Sequence, residues 1–401
     1  MKKILWIAQV VTYDGVAHAG GQNFNFYLKK LNENPDITIR TVGFAERNDL
    51  SRLTYDKYHI ENKVFCEESE VGKLKGKCDS IFSKFLIFNR YAGIVKGYKI
   101  NKIKSYLREI RKMGYAPDCI ILHWTQILLM EYHVKKIFPE SKVVAIEEDV
   151  TFLGLKRRAG QEKNILKKIY YYLGYFCLKY REISSINDID FVFTTNRKDL
   201  ELLRQKGIRT SAYALTPFFH NMIDLCRSKR IDNHNIIYFG AMSREQNYLS
   251  AIWFIKNVMP FLDKKYHFFV IGNNPVPLLK SYESERIHIV GYVDDIRPYF
   301  KESFCFVAPI ILGAGIKIKV LEALSSGIPV LTNEIGIEGI NAKAGKDYIY
   351  CKEPKDYMEA IEKLENNPRL FTELSSNAKR FVEKELDYEM SFKMFEKYLL
   401  Q

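Results

Sequence analysis

Hydrophobic positions along this chain fall into short apolar runs, separated by stretches in which apolar residues recur every three or four positions. Runs at 3–10, 37–43, 119–123, 143–147 and 190–194 predict strands, the third introduced by Pro117-Asp118. A second set lies near 236–240, 267–271, 287–290, 304–308, 328–332 and 347–351. The helical period appears after Gly20-Gly21, where Phe24, Tyr27, Leu28 and Leu31 share a face, and near 247–259, 316–325, 355–365 and 368–384. Strand alternating with helix predicts an α/β chain of doubly wound parallel sheets. The pattern breaks at Leu-Thr-Pro-Phe-Phe-His, 215–220, and in the polar stretch 227–235, which marks a linker. Two domains are therefore expected, 1–215 and 216–386, followed by a final apolar-periodic segment at 387–401.

At 401 residues with 47% hydrophobic content, the chain is long enough for two such cores. The seven cysteines (Cys66, Cys78, Cys119, Cys177, Cys226, Cys305 and Cys351) are scattered and contain no Cys-x-x-Cys, which points away from a disulfide framework or zinc site and toward a reducing cytosol. Lys2-Lys3 before an apolar run mimics a secretory signal, but Gln9, Thr12 and Asp14 interrupt it, and 4–11 reads better as a first buried strand. The longest uncharged apolar run, 169–178, is about half of a membrane span.

The formal charge of +13 is unevenly placed. From Lys84 to Lys112 there are nine basic residues against one acid, Glu109, interleaved with Phe85, Phe88, Tyr91, Tyr98 and Tyr106. A second basic segment, Lys156 to Arg181, carries Tyr170, Tyr171, Tyr172, Tyr175 and Phe176. Basic residues mixed with Tyr and Phe suit an anionic membrane surface, and 84–112 is the first candidate; the plainer reading is a solvated helix face with core aromatics. No helix-turn-helix, RNP or zinc pattern supports nucleic acid as a partner.

The densest chemistry lies at 304–339. A buried strand, 304–308, runs into Gly313-Ala314-Gly315, then a helix begins whose free N–H groups face the glycine loop. Lys317 and Lys319 stand in its first turn, unfavourable for the helix dipole unless an anion binds there. Glu322, one turn on, offers paired acceptors to a ribose diol. Two rival readings remain open: a solvated first turn with a Lys319–Glu322 surface pair, and a dinucleotide fingerprint completed by Glu334, in which Ile318 replaces the third glycine.

This stretch, with Gly327-Ile-Pro-Val330 after the helix, resembles the nucleotide-sugar site of GT-B glycosyltransferases, specifically retaining glycosyltransferase family 4. The resemblance implies two Rossmann-like doubly wound domains facing a cleft, with 387–401 crossing back to the first. It also implies that Glu322 binds the donor ribose and that Lys317 and Lys319 bind its diphosphate and stabilise its departure. The family usually has a glutamate where Ala314 stands, and an arginine and lysine where Ala241 and Gln246 stand, leaving Arg244 to add charge. Gly240 ends the phosphate-side strand, and Gly291, Tyr292 and Val293 match the segment that reads the nucleobase.

In the first domain Gly20 and Gly21 are similar to a glycine pair lying against donor phosphates and acceptor, or form a tight turn before a helix. His123 sits at a carboxyl strand end, where open α/β sheets place ligands. Family members often have a histidine hereabouts that contacts the transferred sugar. Glu148, in Glu147-Glu148-Asp149, would act as a general base in an inverting enzyme; in the retaining family it would position the acceptor or hold Arg157 and Arg158. Asp188-Ile-Asp190 looks like a metal-binding Asp-x-Asp but precedes its strand, so no metal is expected. The expectation is a cytosolic, membrane-associated enzyme that moves a sugar from a UDP- or GDP-sugar, UDP favoured, to a glycan or lipid-linked glycan in polysaccharide synthesis. The alternatives are a GT-B nucleotide-sugar epimerase and a non-catalytic glycan- or membrane-binding subunit.

Overall fold

A computed structural model describes residues 1–16, 18–66, 90–225, 233–313 and 315–401. Ala314, the basic and aromatic residues Lys84, Phe85 and Phe88, and 227–232 of the linker lie outside the described residues. The chain folds as two units, Met1–Phe218 with Tyr388–Gln401, and Phe219–Asp387.

The first unit is built on β1 (Lys2–Ala8), β2 (Ile37–Ala45), β3 (Glu61–Cys66), β4 (Cys119–His123), β5 (Lys142–Glu147), β6 (Phe191–Thr194) and β7 (Ser211–Ala214). All pairings are parallel and the order is β3-β2-β1-β4-β5-β6-β7. In β1, Ile4, Trp6 and Ala8 enter one core while Leu5 and Ile7 enter the other, so each residue of the run is buried on one side or the other. Each large apolar side chain buried this way is worth roughly 1.5–3 kcal/mol. The sequence reading did not anticipate β3 and β7. Both are sheet edges, and ENKVFC and SAYA lack the continuous apolar run that two covered faces demand.

The helix Tyr388–Leu400 packs on this unit, placing Phe392, Phe395 and Leu399 in the core of Ile4 and Trp6. Three hydrogen bonds close a ring there. Tyr27 Oη donates to the Thr216 carbonyl (2.9 Å), the Thr216 N–H donates to Ser391 Oγ (2.8 Å), and Ser391 and Tyr27 share the third (3.1 Å). Lys2 and Lys142 donate to the carbonyls of Leu400 and Tyr398 at the helix's carboxyl end, where the dipole favours cations.

The second unit holds β8 (Asn235–Phe239), β9 (His267–Ile271), β10 (Ile287–Gly291), β11 (Cys305–Ala308), β12 (Val330–Thr332) and β13 (Ile349–Tyr350). They are parallel throughout, in the order β10-β9-β8-β11-β12-β13. The helix predicted at 316–325 spans Ile318–Ser326, because Lys317, at φ −98° and ψ 92°, is its extended N-cap. In each sheet the strand order reverses direction once, between β1 and β4 and between β8 and β11. Carboxyl ends at such a reversal are where open α/β sheets bind ligands.

Candidate active site

In the second unit the reversal brings the loop after β8 beside the loop after β11. Gly240, at φ 153°, and Gly272, at φ 147°, are in close backbone contact; a Cβ on Gly272 would lie 1.7 Å from the Gly240 carbonyl oxygen. A Cβ on Gly240 would meet Lys319 Nζ at 2.6 Å. Bare backbone at 240 is therefore what admits the Lys319 ammonium. That ammonium donates to Asn247 Oδ1 (2.7 Å) and Tyr238 Oη (3.1 Å) and lies 4.5 Å from the centre of the Tyr238 ring. Asn247 is itself fixed by donating to the Ala241 carbonyl (2.9 Å).

Glu322, in the second turn of Ile318–Ser326, is buried and accepts from the His220 N–H (3.2 Å); Ser325 Oγ accepts from the Met222 N–H (2.9 Å). Lys317 donates to the Gly315 carbonyl (2.5 Å) and lies 3.9 Å from the buried Glu338. Gly313 and Gly315 hold φ of 129° and 72°, the left-handed side of backbone space that a chain turning tightly into a helix uses.

Burial dominates the electrostatics. It lowers Lys319 to about 7, assisted by the charges of Lys317 and Arg244 and opposed by Glu322. Burial likewise raises Glu322 to about 7, against the His220 N–H and Lys319. A solvated first turn would bury neither group. Glu334, which the dinucleotide reading needs, is exposed and accepts from Tyr350 Oη (3.0 Å). Lys319 therefore stands among the positive charges of Lys317 and Arg244, and Glu322 accepts from the His220 N–H.

The remaining residues of this unit stand around those two. Arg244 is the exposed N-cap of helix Glu245–Asn257. Gly291, at φ 80°, ends β10 and accepts the Gly272 N–H (2.7 Å); Tyr292 beyond it is 70% exposed, with Val293 following. Sequence reasoning missed Tyr238, Asn247 and Glu338. Nothing in a run such as IIYFGAMSREQN marks which polar side chain turns inward.

The first unit gathers its candidates at the β1/β4 reversal. Trp6 Nε1 donates to His123 Nδ1 (3.3 Å). Indole nitrogen can only donate, so the imidazole hydrogen sits on Nε2 and is given to Glu148 Oε1 (2.7 Å). The same oxygen accepts from Asn23 Nδ2 (2.9 Å). His123 is thus buried with both ring nitrogens engaged, and Glu148, not quite buried, is the group it aims. Trp124 stacks on His123 at 4.0 Å and holds φ 73°, a strained value for a bulky side chain. A Cβ on Gly20 would approach Trp124 to 3.1 Å and Glu148 Cδ to 3.5 Å, and one on Gly21 would strike the His18 ring at 2.6 Å. The glycine pair lets helix Ala19–Asn32 start against Trp124 and Glu148. Asp190 spends its carboxylate on the Val143 N–H (2.7 Å) at the amino end of the sheet.

Behind Glu148, Glu147 is fully buried, accepts from Thr125 Oγ1 (2.5 Å) and is pushed up by burial and by Asp149, Glu148 and Asp199. Glu182 is pushed up by burial, Glu147 and Asp149. In the unfolded chain such carboxyls lose their protons near 4.5. The folded protein keeps those protons to higher pH, so stability falls as pH rises from there until the folded groups ionise. Glu147→Gln is expected to flatten this decline in urea titrations at pH 5 to pH 8; a wild-type midpoint that rises over the interval would refute it.

Comparison with known proteins gives a family and a fold. Residues 233–367 fit the family model described as glycosyl transferases group 1. A Klebsiella pneumoniae protein described as an uncharacterized 44.6 kDa protein in the cps region is 23% identical over 310 residues, covering 73% of this chain and 76% of that one. Among solved structures, HepE of Anabaena in complex with UDP superposes at a TM-score of 0.66, with 14% identity and all of both chains covered. Sucrose-phosphate synthase of Thermosynechococcus elongatus gives 0.67 at 13% identity, over 99% of this chain and 98% of that one. TarM gives 0.66 at 11%, over 100% and 99%. Residues 233–367 are thus a glycosyl transferases group 1 domain, carried on a chain with the GT-B fold, which supports a glycosyltransferase.

Proposed function

We propose that the enzyme takes its sugar from a UDP-sugar and passes it, with retention and without a metal ion, to a glycan or lipid-linked glycan in cell-surface polysaccharide synthesis, working from the cytoplasmic face of the membrane. Lys319 beneath Gly240 and the buried Glu322, one turn further along the helix, carry this reading. Diphosphate oxygens would take hydrogen bonds from Lys319, Lys317 and the N–H groups opening helix Ile318–Ser326, while the ribose hydroxyls would donate to Glu322. As the sugar–phosphate bond breaks, negative charge grows on the departing diphosphate, and fixed positive groups in a dry site stabilise that charge most. The acceptor hydroxyl, positioned by Glu148, then attacks from the face the diphosphate leaves and gives its proton to the departing phosphate oxygen. HepE, solved with UDP and with UDP-glucose, favours uridine over guanine, and the Klebsiella relative from a cps region favours a polysaccharide acceptor.

The test is a screen of labelled UDP- and GDP-sugars with glycan acceptors, resolved by thin-layer chromatography with and without acceptor. Transfer that requires acceptor and starts from a UDP-sugar is expected. A modified donor formed without acceptor would instead make the protein an epimerase, and binding without any product a non-catalytic subunit. Because lysines and helix N–H groups balance the diphosphate, transfer should persist in EDTA. Complete loss on chelation, restored by manganese or magnesium, would overturn the metal-free mechanism.

A further inference from the structure

Helix Ile165–Asn187 has apolar side chains on two opposite faces. Gly174, Tyr175, Leu178, Ser185 and Ile186 are buried on one. Leu166, Ile169, Leu173, Phe176 and Tyr180 follow at steps of three and four, which sets them on a single stripe. That stripe is exposed, with Leu166 at 78% and Phe176 at 60%, and Ile165, Tyr170 and Tyr172 widen it. Contiguous apolar surface of this extent, along a helix of 23 residues and about 35 Å, marks a docking face.

Charge selects the occupant. From Lys156 to Arg181 there are eight basic residues and one acid, Glu162. A second copy of the chain laid on the stripe would bring two such segments together, like charge against like. An anionic lipid surface instead takes the apolar side chains among its acyl chains, the tyrosines at its headgroups and the basic residues at its phosphates. Among the described residues no helix is long and apolar enough to cross a membrane, so this one would lie in the interface plane. The earlier basic segment is built differently: Tyr91, Tyr98 and Tyr106 pack against the core, and Lys99 and Lys102 lie over the rings of Phe44 and Phe65.

We propose that the exposed face of Ile165–Asn187 docks this enzyme on an anionic lipid bilayer. This rests on the membrane-side location proposed above and names the surface that produces it. The experiment is flotation with phosphatidylcholine vesicles, with and without phosphatidylglycerol, at low and high salt, using wild type, Leu166→Gln/Ile169→Gln/Phe176→Gln and, for the other segment, Lys102→Glu/Lys104→Glu. Wild-type binding should rise with phosphatidylglycerol and fall with salt. The triple variant should lose binding by on the order of tenfold per side chain, while keeping its circular dichroism and UDP affinity. Binding unchanged in the triple variant, or lost only in the lysine variant, would overturn the helix assignment and leave the membrane location standing. Wild type that binds no vesicle would overturn both. A wild-type dimer that the triple variant dissociates would give the face to a second copy and overturn the lipid assignment.

Discussion

Replacing Lys319 by methionine is expected to weaken UDP binding about 10- to 100-fold while sparing uridine, since a charge-assisted contact worth roughly 1.5–3 kcal/mol exists only when phosphate is present. The fold should tolerate the change. Methionine leaves Asn247 Oδ1 without its ammonium partner, but it also removes a charged group whose pKa desolvation has lowered to about 7. The pH dependence has a definite sign. Diphosphate favours protonated Lys319, so its bound-state pKa lies above 7, and affinity should decline by up to about tenfold per unit as pH rises past 7. Below 7, protonation of Glu322 removes the acceptor for the ribose hydroxyls, so affinity should decline there too. Calorimetric titration of UDP should give a bell centred near 7, with Glu322→Gln removing the acid limb and Lys319→Arg flattening the alkaline one. Equal losses of UDP and uridine in Lys319→Met would show that the lysine only supports the loop.

Glu148→Gln should lower turnover by about 100-fold through lost positioning of the acceptor and leave UDP affinity unchanged, because the carboxylate held by His123 and Asn23 belongs to a different sheet from Lys319 and Glu322. The imidazole is a positioning group in this arrangement, with its hydrogen committed to Glu148. His123→Asn should therefore raise the barrier less than Glu148→Gln, and the double variant should be little worse than Glu148→Gln alone, as expected of residues acting as a unit. A His123→Asn loss exceeding that of Glu148→Gln, with additive effects, would mean the imidazole itself touches the sugar.

The central strands could be read from sequence because parallel strands covered on both faces leave uninterrupted apolar runs, as KKILWIA does. The edges β3 and β7 could not, since one side of each lacks a neighbour and the run dissolves into ENKVFC and SAYA. Gly240, Lys319 and Glu322 announced themselves through residue type at a strand–loop–helix junction. Their partners did not. Asn247 and Tyr238 are ordinary helix and strand residues until a bare backbone at 240 lets the ammonium reach both. The Trp6–His123–Glu148 hydrogen bonds join residues of β1, β4 and the turn after β5, and their direction follows only once indole and imidazole are seen in contact.

The helix Tyr388–Leu400 also sets the order in which the protein can be assembled during translation. Trp6, Tyr27 and Phe193 all receive Phe395, which the ribosome adds after every residue of the second unit. Until then the first unit carries an uncovered aromatic groove, with Thr216 waiting for Ser391. All of the second unit lies before Tyr388, so a chain ending at Asp387 holds the whole of it and lacks the helix that completes the first. Released chains ending at Asp387 should thus already resist protease across Phe219–Asp387 and remain sensitive, and sticky toward chaperones, around Trp6.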